Sequence, residues 1–351
     1  LGQVYPRVES LMKKLFNDWN HQQTMDWFEA EGVRLVTQED ECVFPASQDA
    51  MQIVNTLLRD LHAEGVALRT NHRVKNITPQ GDGYTLHFAN EQIPPVCSDV
   101  VVATIGGCPS THQLTLFESL GVAIEPPVPS LFTFNIPDTE LHELMGCVVE
   151  NAVTSLAGTK FKTKGALLVT HWGMSGPAIL KLSSLAARHL ATHTYQATLC
   201  VNWLGGANEE EARSLLTETQ HLHPHKLVAN EYPSQLTARL WHFLLKRCQI
   251  DTQTKWNALT GKKLNKLIVT LTADTYPITG KNRYKEEFVT CGGVSLTNLQ
   301  GTTLALKNHP HLFLAGEVLD VDAVTGGFNL QAAWTMGYVV AKNIAAICTS
   351  I

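Results

Sequence analysis

Two adjacent glycines, Gly326 and Gly327, follow Asp320-Val321-Asp322-Ala323-Val324-Thr325 and precede a helical sequence that opens at about Phe328. Paired glycines let a backbone approach a flat ligand closely and point free N–H groups at it. A helix N-terminus adds partial positive charge at the same point. A flavin-type ring needs such a place, because its reduction puts negative charge near N1 and the C2 carbonyl. Taken alone, the segment reads equally well as a glycine turn with ordinary N-capping.

Two other segments carry reactive side chains. Leu167-Leu168-Val169-Thr170 leads into Gly173-Met174-Ser175-Gly176-Pro177, which superficially resembles a nucleophile elbow. The elbow needs G-x-S-x-G; here Pro177 takes the last place, and Ser175 stands where a helix N-cap belongs. No His lies in an order or context that marks it as a base for Ser175, so a serine hydrolase is disfavoured. His171 ends a strand and is a candidate to orient a substrate or supply a proton. A hydrogen-bonded His supporting the turn is an equally good reading. None of the 15 His shows metal-ligand spacing, and none of the 8 Cys forms a C-x-x-C pair, so free thiols are expected.

The elements that must hold these residues alternate between helix and strand. Tyr5 to Asp18 and His21 to Glu31 read as amphipathic helices, and Val33 to Gln38 as a strand. Ser47 is the expected N-cap of a helix whose apolar face is Met51, Val54, Leu57, Leu58 and Leu61. Val66 to Ile77 reads as extended, and Pro79 to Gly83 as a turn into the strand Tyr84 to Phe88. The β-branched run from Val100 to Val102 ends at Gly106-Gly107. Prolines 126, 127 and 129 mark a change of texture. Strands are expected at Leu131 to Ile136, Cys147 to Ser155 and Leu167 to Thr170, then a helix at Pro177 to Leu190. Residues 208–268 are mostly helical by period, with Lys262 to Lys266 a solvated face. Near the end, Leu312 to Ala315 is a buried-type strand. The final helix places Leu330, Ala333, Trp334, Gly337, Val340, Ala341, Ile344 and Ile347 at a 3.6 period.

Four segments, in order, resemble one bacterial flavoprotein family, which includes aminoacetone oxidases and bile-acid dehydro-reductases. Ala315-Gly316-Glu317-Val318-Leu319-Asp320 with Thr325-Gly326-Gly327-Phe328-Asn329-Leu330-Gln331 is similar to its C-terminal signature. Val101-Val102-Ala103-Thr104-Ile105-Gly106-Gly107 resembles its strand ending in A-T-G-G, with Ile105 as an extra residue. Thr170 to Ala178 resembles its T-H-x-G-x-S-G-P-A block, and Val289 to Val294 its V-T-x-G-G-V.

The resemblance implies an α/β fold: a split Rossmann-like FAD-binding domain with an inserted β-rich domain carrying a helical subdomain. The corresponding boundaries are 1–125 and 288–351 for the FAD domain and 126–287 for the insert, its helical part at about 206–268. It further implies an FAD-dependent oxidoreductase acting on a small organic molecule. Gly316, Glu317, Asp320, Thr325, Gly326, Gly327, Phe328, Asn329 and Leu330 would line the flavin and its arm. Val74 would lie near the adenine, and Thr104, Gly106 and Gly107 beside the dinucleotide. Such proteins open with a strand and G-x-G-x-x-G followed by G-G-G-R-C-N. Neither pattern occurs in this sequence, so either it is a fragment or the protein has lost the pyrophosphate site and persists as a binding remnant; the start at Leu1 rather than Met favours the fragment. The electron partner stays open between NAD(P)H and oxygen, since no second dinucleotide fingerprint occurs.

Composition sets the outer bounds. Hydrophobic residues are 44% of the 351 and charged residues 17%, enough to pack two domains. A formal net charge of -5 argues against nucleic acid or an anionic membrane as the main partner. No apolar run has membrane-spanning length, and no secretory signal pattern occurs, so the cytoplasm is the expected compartment.

Overall fold

The computed structural model describes residues 1–39, 41–108, 111–281 and 289–348. The chain is mixed α/β and forms two compact units, residues 1–128 with 290–351, and residues 129–289.

In the first unit the apolar run Leu312–Leu314 lies parallel to Val101–Ala103, Leu312 opposite Val101 and Leu314 opposite Ala103. Ala305–Leu306 pairs antiparallel on the other side of the C-terminal strand. The three strands Val74–Gln80, Gly83–Phe88 and Val96–Ser98 form an antiparallel meander. Only Val74 onward is strand; the expected extension back to Val66 is turn and coil, and Pro79 belongs to the strand, leaving Gly81-Asp82 as the turn. The first helix is likewise shorter than its pattern, Glu9–Leu15, and His21–Ala30 follows with Asn20 and Gln23 in a reciprocal capping box.

The helix Phe328–Cys348 begins where the sequence places it, but it buries Ala332, Thr335, Met336, Val339 and Val340. Of the predicted apolar face only Val340 is shared with that set, and Leu330 is 60% exposed. A helix with apolar residues on most sides has no sharp phase, so hydrogen bonds decide its rotation. Thr335 Oγ1 donates to the Trp19 carbonyl at 2.9 Å and Gln331 Nε2 to Thr24 Oγ1 at 3.0 Å, which turns those polar residues inward.

The helix Ala50–Ala63 is capped by Asp49, whose carboxylate accepts from the Met51 N–H at 2.9 Å. Ser47, the expected cap, instead accepts from the Asp49 N–H. The apolar stripe is present but uncovered: Met51, Val54, Leu57, Leu58 and Leu61 are each 38–52% exposed. Val36, Val43 and Phe44, on the short strands Leu35–Thr37 and Val43–Pro45, are exposed as well.

The second unit is built on a seven-stranded antiparallel sheet. Its order is Asp274–Ile278, Ala197–Asn202, Val148–Leu156, Lys162–Thr170, Gly173–Ser175, Phe134–Asn135 and Gly280–Lys281. The expected helix Pro177 to Leu190 is two helices, Pro177–Leu185 and Ala187–Thr192, broken at Ala186. Beyond it run Glu209–Leu222, Ala238–Arg247 and Gly261–Ala273. Lys262, Lys263 and Lys266 are exposed, as expected of a solvated face. Trp203, Trp241 and Trp256 are fully buried in this unit's core. Asp274 is also buried and accepts from Arg247, Tyr276 and Trp203. Burial raises its carboxyl above the ordinary value, against the lowering effect of those partners.

Candidate functional site

Three of the four sequence blocks meet in the first unit. The Thr290 N–H donates to Glu317 Oε1 at 2.6 Å. A Cβ on Gly107 would stand 2.5 Å from Glu317 Oε1 and 2.6 Å from Thr290 Oγ1. A side chain there would have to push the Glu317 carboxylate and the Thr290 hydroxyl aside, so the A-T-I-G-G, V-T-C-G-G-V and A-G-E segments meet closely at one point. The junction is extended by the Ala315 N–H donating to the Ala103 carbonyl at 3.2 Å and the Asp320 N–H to the Val294 carbonyl at 3.0 Å. A Cβ on Gly293 would strike the Val318 carbonyl at 2.5 Å. Burial raises the Glu317 carboxyl above its ordinary value; the Thr290 hydrogen bond opposes this, and neighbouring Asp322 adds to it.

The glycine loop divides its duties. At Gly326 (φ +124°) a Cβ would lie 2.8 Å from the Phe328 ring, so the chain fills that side itself. At Gly327 (φ +80°) nothing lies within 4 Å of the Cβ position. Gly106 (φ +75°) is open in the same sense. Asn329, expected at the ligand, clamps the loop: its Oδ1 accepts from the Ala323 N–H at 2.8 Å and its Nδ2 donates to the Ala323 carbonyl at 3.1 Å. The Phe328 ring packs edge-on against Tyr5, whose hydroxyl donates to the Phe328 carbonyl at 2.7 Å. Thr325 is half-buried, Leu330 and Thr104 are exposed, and Val74 packs half-buried against the core of this unit.

One anchor has no signal in the sequence. Arg7 grips the fully buried Asp322 through two bonds, Nε to Oδ1 at 2.7 Å and Nη2 to Oδ2. The partners are 315 residues apart, beyond any local pattern. Replacing Arg7 by Met would leave a buried carboxylate without its two-point partner. A loss of about 3 kcal/mol is expected, read as a lower urea midpoint, with partial recovery in Arg7→Met/Asp322→Leu. An unchanged midpoint would show that the pair does not hold the loop.

The remaining block lies in the second unit and is built for packing. Ser175 is the last residue of its strand, and its Oγ accepts from Thr133 Oγ1 at 2.8 Å. The N-cap of the following helix is Gly176 (φ +86°), not Ser175, with Pro177 in the first turn. A Cβ on Gly176 would meet the Ala166 carbonyl at 2.8 Å, which explains why a hydroxyl residue does not hold the cap. His171 is exposed in the tight turn between Lys162–Thr170 and Gly173–Ser175, its ring 3.7 Å from that of Trp172. Among the described residues no group of His, Cys, Asp and Glu could hold a metal ion. No described helix is long and apolar enough to cross a membrane.

The HI0933-like protein Rossmann domain family matches residues 1–343. The chain belongs to that family. Among curated proteins, the ribosomal RNA dihydrouridine synthase of Escherichia coli (strain K12) is 29% identical over 314 residues, 86% of this chain and 74% of that protein. The 3-dehydro-bile acid delta(4,6)-reductase of Clostridium scindens is 22% identical over 348 residues, 95% of this chain and 82% of its own. The Haemophilus influenzae ribosomal RNA dihydrouridine synthase is 27% identical over 260 residues, covering 71% of this chain and 61% of that protein. Family and relatives together support a flavoprotein oxidoreductase in the broad sense.

Proposed function

We propose that this HI0933-like chain acts as an FAD-dependent reductase on a carbon–carbon double bond conjugated to a carbonyl. The observation that carries the flavin part is the open backbone at Gly327, in the same compact unit as the junction of Gly107, Thr290 and Glu317. No protein atom lies within 4 Å of a Cβ position on that glycine, which stands at the electropositive start of the helix Phe328–Cys348. The Glu317 carboxylate is an acceptor for a hydroxyl of the ligand's sugar-like arm. Bound there, FAD supplies hydride transfer, with NAD(P)H as the proposed source of reducing equivalents.

The substrate class draws on chemistry that two relatives' names share. Making dihydrouridine saturates the uracil double bond next to its C4 carbonyl, and a delta(4,6)-reductase of a 3-dehydro steroid saturates bonds conjugated to its 3-ketone. The accompanying proton is supplied by water or by an exposed acid; His171 in the second unit carries an imidazole of that kind.

The residues fit the flavin half of the cofactor better than the pyrophosphate half, for which this sequence has no G-x-G-x-x-G turn. A strand–loop–helix unit against the uncovered stripe of Met51, Val54, Leu57, Leu58 and Leu61 would supply both that turn and an apolar cover.

The test is a visible absorption spectrum after FAD addition, made on this chain and on a version joined to such a unit, followed by NAD(P)H oxidation with an α,β-unsaturated ketone. A flavin spectrum with ketone-dependent turnover is expected in the joined protein. A colourless pair would sink the flavin reading and promote the binding remnant. Bound flavin without turnover on any conjugated substrate would sink the proposed reaction.

A further inference from the structure

Residues 4–7 hold the glycine loop at three separate points. The Arg7 guanidinium grips Asp322 near the start of the loop. The Val4 carbonyl accepts from the Val324 N–H at 3.0 Å. The Tyr5 hydroxyl donates to the Phe328 carbonyl at 2.7 Å, in the first turn of the helix Phe328–Cys348. Between those last two holds stand Thr325, Gly326 and Gly327, whose N–H groups have no hydrogen-bond partner among the described residues.

The brace is firmly seated. Tyr5 is 1% exposed, its ring edge-on to Phe16 at 5.8 Å and to Phe328 at 6.3 Å. Val8 leads straight into the helix Glu9–Leu15, its carbonyl accepting from the Met12 N–H at 3.0 Å, and Met12 and Leu15 are fully buried. Burial holds the Tyr5 hydroxyl well above the ordinary phenol value, so it stays a donor through the neutral range. Phe328 passes the hold on to the loop, because its ring lies 2.8 Å from where a Gly326 Cβ would stand. Within the loop's own sequence, Asn329 secures Ala323 alone. The hold on both flanks of Thr325–Gly327 comes from Val4 and Tyr5.

We propose that Tyr5 and Arg7 are positioning residues of the flavin site, keeping Thr325, Gly326 and Gly327 in the conformation that receives the cofactor. This role rests on the flavin reading above and adds the device that readies its loop. Two adjacent glycines lose more backbone freedom on ordering than any other pair. A ligand that binds only the ordered loop has its affinity scaled by the fraction of molecules in which the loop is ordered. Bracing before binding therefore raises affinity without adding a contact to the ligand.

The test compares Tyr5→Phe, which keeps the ring and removes only the donor, with Ile77→Val, which thins the same unit's core on the strand Val74–Gln80. In this chain without FAD, hydrogen–deuterium exchange is followed at the Ala323, Val324 and Gln331 amides, which are bonded in and beside the loop. Exchange there should quicken in Tyr5→Phe and stay as in the wild type in Ile77→Val. In the protein that carries a complete FAD site, titration read by quenching of FAD fluorescence should show a Kd raised about tenfold in Tyr5→Phe. The Kd of Ile77→Val should be unchanged, although both variants lower the melting temperature slightly. Arg7→Lys, which keeps the charge but not the two-point grip, should weaken FAD as well.

Wild-type exchange in Tyr5→Phe would overturn the brace. Faster exchange with wild-type flavin affinity would overturn the positioning role and leave Tyr5 as packing. Flavin bound by neither variant nor wild type would overturn the flavin reading, a failure that the exchange rates keep apart from failure of the brace.

Discussion

Gly327→Val is expected to abolish flavin binding by the protein that carries a complete FAD site, with the fold intact. Two effects combine at this residue. Its φ of +80° is in the left-handed region, where a side chain costs roughly 1–2 kcal/mol and a β-branched one more. The Cβ position has no heavy atom within 4 Å, so the valine would not collide with the protein. It would project into the space assigned to the ring, and displacement of the ligand is the dominant effect. Gly327→Ala separates the two terms, keeping the backbone cost while intruding far less. The measurement is flavin absorbance per mole of protein after saturation with FAD and desalting, beside a thermal melt without FAD. Wild-type flavin content in Gly327→Val would show that the loop is only a turn. A melt lowered by much more than the backbone cost would show that valine disturbs the protein rather than the ligand.

The blocks found in the sequence were legible because each contains glycines, a residue type the sequence displays directly. Gly107, Gly292 and Gly293 all stand where a Cβ would strike another segment, at 2.5 Å from Glu317, the Pro126 carbonyl and the Val318 carbonyl respectively. The sequence showed that such residues exist but not which segments they bring together, because contact partners are set by the tertiary fold. Hence Glu317 was named without Thr290, and Asp322 without Arg7. Asn329, expected at the ligand from its place in the block, bonds both backbone groups of Ala323; a pattern of residue types does not reveal which polar groups the loop engages itself.

Most strands and helices were legible to within a few residues where one face is apolar and the other polar, but the extended reading from Val66 was not, since the strand begins only at Val74. The phase of the last helix was not, since its period is blurred by apolar residues on several sides and settled by the hydroxyl of Thr335. Charge is averaged in a related way. A sum over the whole chain hides that one compact unit is basic and the other acidic. The stripe on the helix Ala50–Ala63 was read correctly as amphipathic; periodicity identifies an apolar face without saying what covers it.

The sharpest stability test falls on the block that most resembles a catalytic motif. Gly173→Val is expected to destabilise the second unit by about 3 kcal/mol or more, with overpacking and backbone strain both contributing. Gly173 (φ +151°) pairs with Asn135 across the sheet, and a Cβ there would crowd the Phe134 carbonyl and lie 2.8 Å from the Ile136 N–H nitrogen. That same N–H donates to the Trp172 carbonyl at 2.9 Å, so the strand cannot retreat without losing a ladder bond. Phe134 and Ile136 are buried, and displacing them would open the core beneath. Ser175→Ala, by contrast, removes one hydrogen bond from Thr133 and should cost only about 1 kcal/mol. Urea unfolding followed by tryptophan fluorescence reads both, because Trp203, Trp241 and Trp256 lie in this unit's core. If Gly173→Val unfolds as the wild type does while Ser175→Ala abolishes an esterase activity, the block is a nucleophile site after all. The opposite pattern assigns its glycines to packing, and leaves the turn they shape as the support that holds His171 in place.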